Sequence, residues 1–515
     1  MKTRTLSTLF LTLTAIATWT TSAALASQKM IGFFDGIQGD SLVMGWTLDQ
    51  NAPTLPQVVE LWMDGGPSNG GVWLTTAFAD LPRPDLTGVN SNHAYQFRVP
   101  TGRATDGRVH SLSVYVFDAG VWTPLQVSKV PAPPTQFAID SVHERQVFQR
   151  ELNPTAQTPV VARGMLDYST ALSATIKLTV TDRLSGSILS QNVQNILIPE
   201  TTEGINANSK FSVPYAAYAA TLYLPTGGWY SMSAELDSAT APTPQTVHLD
   251  KFGVGELFIT AGQSNSVSSA NDVNIDCRTT PKDDRISAYD VFANTWRVAA
   301  DPQPQGADTG LGAGEGAGGS AWPTLGDLLI TRLNMPIGFI SVGSGGSNLG
   351  SWLPTVKPSL YSGLRRALNS LKQGSDETNR LDARAILWHQ GEAEIMLHAP
   401  HGMFGYDYFN GLFSVISHLI QDTGEQIPWM VANVAYVPPT LAKSDPAEVA
   451  GLRAGQALLW QNGTAYQGPD TDTLGPEFRS GNDHIHMNLQ GVAAHARLWC
   501  VQIMKEIYQQ ADPCN

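Results

Sequence analysis

A serine, an aspartate and a histidine stand at positions from which they could act together in nucleophilic catalysis. Ser264 lies in Gly262-Gln263-Ser264-Asn265, after a short apolar run, and the glycine permits a tight turn at the end of a strand. A serine hydroxyl is a weak nucleophile until a histidine takes its proton. Asp483 and His486 are three residues apart, a spacing that places both side chains on one side of a turn. The pattern predicts a Ser-His-Asp triad, with His484 pointing elsewhere.

Two further segments supply hydrogen-bond donors for a negatively charged transition state. The glycine-rich segment 343–348 can present backbone N–H groups, and the Gln390 side-chain amide can donate another bond. Each such donor is worth roughly 3 kcal/mol in the transition state. Glu392 is interpreted as a group that orients neighbouring loops, because His486 already serves as the base. His389 is interpreted as a packing or substrate-contacting residue.

Other side chains near these segments admit two interpretations. Trp352 either stacks on a sugar face or fills the core. Gln263 and Asn265, on either side of the serine, are further candidates for supporting the site or contacting the substrate. His398 and His401 invite a metal interpretation, but no carboxylate or thiol spacing completes a site, so we expect neither a metal nor a cofactor.

The elements that must position these residues form an alternating α/β pattern after Gly255. Short apolar strands are predicted at 257–261, 337–342, 383–388 and 429–435, and helices at 323–333, 360–371, 406–420, 448–460 and 489–507. This alternation predicts a parallel sheet, in which ligands bind beyond the carboxyl ends of the strands. The long Gly- and Asp-rich segment 272–319 is expected to be a loop that sets sugar specificity.

Two β-rich blocks precede this domain. Short alternating runs and turns predict a β-sandwich over residues 27–130, a proline-rich linker follows, and a second sandwich is predicted over 136–250, its last strand at 229–236. The α/β domain with the candidate triad would then occupy 251–515. Tryptophans 46, 62, 73 and 122 leave open whether the first block binds carbohydrate or uses them as core.

Composition and charge narrow the classes of function and the location. A net charge of −14 without a basic cluster excludes a nucleic-acid-binding protein. Residues 1–26 have the basic start, apolar run and small-residue end of a signal peptide, and no later segment reads as a membrane span. We therefore expect a secreted or periplasmic protein that does not bind a membrane in its mature form; the oligomeric state stays open.

Three cysteines permit one disulfide and leave one thiol over. Cys500 and Cys514 are the preferred pair, because a bridge would tie down the tail after the last helix, at roughly 3 kcal/mol for a loop near 15 residues. Cys277 is the competitor for Cys500.

From about Gly253 to Tyr508 the chain resembles the SGNH hydrolases, and within them the sialate O-acetylesterase and acetyl-xylan-esterase-like carbohydrate esterases. Four segments carry the resemblance: Gly253–Phe258 leading into Gly262–Asn265, Gly345–Ser347 with Trp352, Trp388–Glu392, and Asp483 with His486. Ser266 and Ala393-Glu394 depart from the family pattern, but neither removes a triad residue.

The resemblance implies a flavodoxin-like three-layer fold. It also implies an oxyanion hole formed by the Ser264 backbone N–H, the N–H of Gly346 or, as second choice, Gly345, and the Gln390 side chain. We therefore predict a secreted carbohydrate O-acetylesterase, a serine carboxylic-ester hydrolase acting on a glycan or a sialic acid. The alternative is a non-catalytic secreted carbohydrate-binding or adhesive protein on an esterase-like scaffold, and the complete triad favours the enzyme.

Overall fold

The computed structural model is a mixed α/β protein with a β-rich N-terminal region. The predicted signal peptide lies outside the described residues. The structure describes residues 30–38, 42–83, 92–99, 110–118, 121–127, 137–153, 156–165, 173–197, 212–215, 217–238, 245–291, 293–304, 317–354, 356, 358–371, 382–398, 400–438, 444–511 and 514. Within them, no helix is long and apolar enough to cross a membrane.

Nine strands of the described residues form the first β-rich block. They are β1 (Met30–Gln38), β2 (Leu42–Asp49), β3 (Gln57–Met63), β4 (Val72–Ala79), β5 (Leu81–Pro82), β6 (Asn92–Arg98), β7 (His110–Asp118), β8 (Val121–Pro124) and β9 (Gln126–Val127). One sheet has the order β5-β6-β2-β1-β9, and the other contains β7, β3 and β4 with β8 on the edge of β7. Apolar residues of both sheets, among them Phe34, Val43, Leu61 and Val114, share one core. The alternating sequence pattern thus places one face of each sheet inside.

Seven strands of the part that the structure describes belong to the second block. They are β10 (Gln146–Gln149), β11 (Thr158–Met165), β12 (Ser173–Asp182), β13 (Ile188–Leu197), β14 (Ser212–Tyr215), β15 (Ala217–Leu224) and β16 (Gly227–Ser238). β11 pairs with β15, whereas β13, β12 and β16 lie side by side in a larger sheet. β14 pairs with β7 of the first block, so the two blocks are joined by hydrogen bonds as well as by the chain.

One long strand, β17 (Gln245–Gly262), connects the second block to the α/β region. Its first part is antiparallel to β16, and its second part lies between two parallel strands of the α/β region. Burial changes accordingly, from alternating exposure to a continuous buried run, as expected for a strand covered on both faces. The second block therefore does not end at the strand predicted over 229–236, and β17 runs across the predicted boundary between residues 250 and 251.

The remaining elements complete the α/β region. They are β18 (Ile286–Asp290), β19 (Thr295–Val298), α1 (Trp322–Leu333), β20 (Ile337–Ser341), α2 (Pro358–Leu371), β21 (Ala385–His389), α3 (Glu392–Leu397), α4 (Tyr406–Thr423), β22 (Trp429–Asn433), α5 (Pro446–Gln461), β23 (Tyr466–Asp470) and α6 (Leu489–Glu506). The predicted strands and helices of this region are confirmed to within a few residues, except that β17 begins much earlier. Strands β18 and β19 lie in the segment expected to be only a loop, which corrects that prediction.

Strands β18, β20, β17, β21, β22 and β23 are parallel neighbours in that order, and β19 is antiparallel to β18. Alternate residues of β17 belong to two different cores. Leu257 and Ile259 pack with residues of α2, α4 and α5, whereas Phe258 packs with residues of α1 and α6. Helices therefore cover both faces of the sheet, as expected for a parallel sheet in an α/β protein.

Two contacts fasten outlying parts to this region. Cys500 in α6 and Cys514 form a disulfide, which confirms the preferred pairing, and Cys277 is a buried free thiol. Asp80, in the first block, forms a buried ion pair with Arg365 of α2 and also accepts a hydrogen bond from Ser362. The first block is thus fixed to the helix layer of the α/β region.

Candidate active site

Ser264 begins a single 3-10 turn immediately after β17. Gly262 has a φ of 123°, and a Cβ there would lie 2.1 Å from the carbonyl oxygen of His389, so only glycine fits. The Gln263 N–H donates to that same carbonyl at 2.9 Å. The glycine predicted to allow a tight turn therefore does so, and the turn is locked to the end of β21.

The backbone of this turn leaves a donor unused. The N–H groups of Ser266 and Val267 close the turn by donating to the carbonyls of Gln263 and Ser264. The Ser264 N–H has no acceptor among the residues that the structure describes. A donor in this position suits an anionic oxygen that forms beside the Ser264 hydroxyl.

Asp483 and His486 face each other as their spacing predicted. His486 Nδ1 lies 2.8 Å from Asp483 Oδ2, while Asp483 Oδ1 accepts from the backbone N–H groups of Ile485 and His486, both at 2.9 Å. Burial alone would raise the pKa of Asp483, but its hydrogen bonds with His486 and the histidine charge hold that pKa well below its usual range. The carboxylate thus stays ionised and orients the ring. His484 is exposed and lies apart from this pair.

Asn271 is a residue of the site that the sequence reasoning missed. Its side-chain nitrogen donates to Asp483 Oδ2 at 3.2 Å, and its side-chain oxygen accepts from Ser480 and Asn482. Its backbone N–H donates to the Met487 carbonyl at 3.1 Å. Asn271 thereby ties the segment that follows the nucleophile turn to the loop of the Asp–His pair. An asparagine in a polar loop gives no sequence signal for this role.

Arg479 is a second missed residue. Its guanidinium donates to the carbonyls of Ile485, Leu474 and Thr471 and stacks on the Tyr436 ring at 4.3 Å. The buried cation thus holds the loop that carries Asp483 and His486. No hydrogen bond joins Ser264 Oγ and His486 Nε2 within the described residues, and such catalytic bonds often tighten only when substrate is bound.

The glycine-rich segment after β20 packs directly against the nucleophile turn. A Cβ on Gly343 would lie 2.2 Å from Ser266 Oγ, and the Ser344 N–H donates to the Gly262 carbonyl at 2.9 Å. The N–H groups of Gly345 and Gly346 have no acceptor in the described part of the chain. Gly346 is exposed and has a φ of 66°. Both glycines therefore retain free donors close to the turn.

Gln390 does not fit the predicted oxyanion role. Its side chain is fully buried, and its amide nitrogen donates to the Ser347 carbonyl at 3.3 Å and to Glu394 Oε1 at 3.0 Å. Its amide oxygen accepts from Tyr408. Both amide hydrogens are thus used inside the protein, which corrects the expectation that one of them faces the substrate.

Trp352 likewise fills the core and cannot stack on a sugar. It is fully buried, packs edge-on against Trp388 at 5.0 Å between ring centroids, and donates from its indole nitrogen to Ser347 Oγ at 3.0 Å. Of its two interpretations, the core interpretation is therefore correct. Through Ser347, Trp352 also supports the glycine-rich segment.

Hydrogen bonds to the segment that follows β21 hold the two residues on either side of Ser264. Gln263 Oε1 accepts from the N–H groups of Gly391 and Ala393, and Asn265 donates to Glu392 Oε1 at 2.8 Å. His389 Nε2 lies 3.2 Å from the same Glu392 oxygen, and both residues are buried. Glu392 thus holds Asn265 of the turn, and the full burial of His389 favours the packing interpretation of that residue.

No site with metal-ligand geometry occurs in the described residues. No group of three or more His, Cys, Asp or Glu side chains there is placed to hold a metal ion. His398 pairs with Glu448 at 2.7 Å.

The mixed α/β fold, the strand-end serine and the Asp483–His486 pair suit a hydrolase, and known families provide a comparison. Residues 254–465 match the carbohydrate esterase family of sialic acid-specific acetylesterases. This confirms the resemblance seen in the motifs over that part of the chain, and the match supports an esterase, a hydrolase of ester bonds. The match includes Ser264 and Glu392 and ends before Asp483 and His486.

Several solved structures are similar to parts of the chain. A carbohydrate acetylesterase from Xanthomonas citri is 15% identical, with 72% of this chain and 74% of that chain covered and a TM-score of 0.43. A protein from Arabidopsis thaliana is 18% identical, with 48% and 95% covered and a TM-score of 0.35. A peptidoglycan O-acetylesterase is 9% identical, with 70% and 75% covered and a TM-score of 0.25. No curated protein sequence matches this chain.

Proposed function

We propose that this protein is a secreted O-acetylesterase that removes acetyl groups from a glycan or a sialic acid, with Ser264, His486 and Asp483 as its catalytic triad. The observation that carries the proposal is the 2.8 Å pair of His486 and Asp483, whose loop Asn271 ties to the segment after the nucleophile turn. An imidazole oriented by a carboxylate and a serine at the end of a strand are the groups that nucleophilic catalysis on an ester requires.

The reaction begins when Ser264 Oγ attacks the acetyl carbonyl carbon and His486 Nε2 takes the hydroxyl proton. The ester bond then breaks, and the imidazolium gives its proton to the departing sugar hydroxyl. Water next attacks the acetyl-serine with His486 again acting as base, and acetate leaves as Ser264 recovers its proton. Asp483 keeps the ring in the tautomer with its lone pair on Nε2.

The oxyanion of each tetrahedral intermediate is bound by backbone N–H groups. We assign Ser264 and Gly346, with Gly345 as the second glycine, because these three N–H groups have no acceptor in the described structure. Preorganised donors of this kind stabilise developing charge strongly in a site with little water. Gln390 instead supports the glycine-rich segment indirectly, through its hydrogen bond to the Ser347 carbonyl.

The proposed domain organisation is a signal peptide over 1–26, a β-sandwich over 27–130, a second β-sandwich that begins at 136, and a flavodoxin-like SGNH domain that ends at 515, with β17 shared between the last two. The order β20-β17-β21-β22-β23, with helices on both faces, supports a doubly wound sheet. The first sandwich is also a candidate carbohydrate-binding module: Trp73 is 42% exposed on β4, and Trp122 on β8, at the opposite side of the same sheet, packs against exposed Phe117.

Acetate release tests the proposal. The mature protein and its Ser264→Ala variant are assayed on acetyl-xylan, O-acetylated sialic acid and an aryl acetate. We expect release by the parent and none by the variant, and the preferred substrate names the sugar. If the parent releases no acetate from any of them, the enzyme proposal is wrong and a glycan-binding protein on this scaffold takes its place. The mass of the secreted protein tests cleavage after residue 26.

A further inference from the structure

A chain of buried polar side chains runs behind the nucleophile turn, from α6 to Asn265. We call its members Trp499, His495, His389 and Glu392 the buried relay. All four side chains are at most 2% exposed. The successive contacts are Trp499 Nε1 to His495 Nε2 at 3.0 Å, His495 Nε2 to His389 Nδ1 at 3.2 Å, and His389 Nε2 to Glu392 Oε1 at 3.2 Å. Asn265 completes it by donating to Glu392 Oε1.

The donors and acceptors of the buried relay determine which histidine ring nitrogens carry a proton. An indole N–H can only donate, so His495 Nε2 accepts from Trp499 and carries no proton. Burial lowers the pKa of His495 well below its usual value, and the nearby His389 and Arg479 charges act in the same direction. His495 is therefore neutral. His389 Nδ1 faces the same unprotonated nitrogen, so a hydrogen bond there requires a proton on His389 Nδ1.

The other nitrogen of the His389 ring faces a carboxylate. Burial would raise the pKa of Glu392, but the His389 charge and the hydrogen bonds from His389 and Asn265 lower it to about 2. Asn265 donates to Glu392 Oε1, which therefore acts as an acceptor. His389 Nε2 faces the same oxygen, so a hydrogen bond between them requires a proton on Nε2 as well. Arg479 and Asp472 are the other charged groups that interact with this carboxylate or its neighbours.

We propose that His389 is held as a doubly protonated imidazolium between Glu392 and His495, and that this buried ion pair positions the Ser264 turn relative to His486. The ion pair is linked to Ser264 by the hydrogen bond between Glu392 and Asn265, the residue after the serine. It is linked to His486 by α6, which carries His495 and begins three residues after His486. His389, His495 and Glu392 are thus positioning residues. The proposal extends the proposed triad, on which its kinetic part rests.

The relay explains why two histidines and a glutamate occupy the interior of an acidic protein. A lone buried charge would be costly, whereas a carboxylate and an imidazolium that share hydrogen bonds compensate each other. His495 has to be neutral for this arrangement, because a second cation beside His389 would repel it. His389 and His495 are 106 residues apart in sequence, so the relay joins the end of β21 to α6.

Nitrogen-15 NMR of the full-length mature protein, labelled at its histidine ring nitrogens, tests the protonation directly. His389 and His495 are assigned from the His389→Gln and His495→Gln variants. At neutral pH we expect both His389 nitrogens to show imidazolium shifts and His495 to be neutral. A singly protonated His389 overturns the proposal. This measurement needs no catalysis, so it stands even if the protein releases no acetate.

Paired variants test the positioning role. His495→Gln keeps an acceptor for His389 and Trp499, whereas His495→Phe removes it. We expect His495→Phe to lower kcat roughly tenfold or more with KM little changed, and His495→Gln to retain activity within about threefold. His418→Gln, on a half-buried ring of α4, is the control. Equal kcat values in a folded His495→Phe variant and the parent would overturn the positioning role. If that variant does not fold, Glu392→Gln, which keeps the shape but removes the charge, carries the same comparison.

Discussion

Replacing Asp483 with asparagine tests the site most directly, because the structure dictates which way the new amide must point. Asp483 Oδ1 accepts from the two backbone N–H groups of Ile485 and His486 at 2.9 Å. An asparagine must keep its oxygen there, so its NH2 group takes the place of Oδ2, which lies 2.8 Å from His486 Nδ1. A donor at that point forces the ring proton onto Nε2, where the base needs a lone pair.

We therefore expect Asp483→Asn to lower kcat for an aryl acetate by roughly a thousand- to ten-thousandfold, about 4–5 kcal/mol of transition-state stabilisation. KM should change little, because Asp483 contacts no substrate. The matched control is Asp272→Asn. The Asp272 carboxylate lies nearby but accepts a hydrogen bond from the Gly481 N–H instead of contacting His486, so the kcat of this variant should stay within about threefold of the parent value. Steady-state kinetics and thermal unfolding are measured on all three proteins. A loss of less than tenfold in folded Asp483→Asn would refute the assigned triad.

Three further predictions follow from the described contacts. Asn271→Ala should lower kcat about tenfold with KM unchanged, because it removes the donor to Asp483 Oδ2; an unchanged kcat would contradict this role. Arg365→Met should reduce the free energy of unfolding by about 3–5 kcal/mol, since it leaves Asp80 buried and unpaired, and adding Asp80→Asn should restore much of the loss in chemical denaturation. The folded pKa of Asp483 is lowered, so its stabilisation is present above its unfolded pKa of about 4 and is lost as the pH falls further. The difference in melting temperature between parent and Asp483→Asn should therefore shrink below about pH 4, and a constant difference would contradict it.

Much of the α/β region was predictable because its signals are local. Apolar runs gave β20, β21 and β22 to within about two residues at each end, and helical periodicity gave α6 almost to the residue. Short, partly polar strands such as β18 and β23 were missed, since their pattern is weak without their neighbours in the sheet. The second block's last strand was misplaced because the sequence does not show that β17 crosses from one sheet into the other.

What the sequence by itself determined were the features set by residue type and short spacing. They include Gly262, which allows the tight turn before Ser264, and the three-residue spacing that pairs Asp483 with His486. They also include the esterase family that these motifs resemble. What only the tertiary structure decided were contacts between distant residues, such as Asn271 with Asp483, 212 positions apart. It also decided competition among donors, which turned the Gln390 amide to Ser347 and Glu394. The physical reason is that a short turn fixes its own geometry, whereas a long-range hydrogen bond depends on how the whole sheet places its partners.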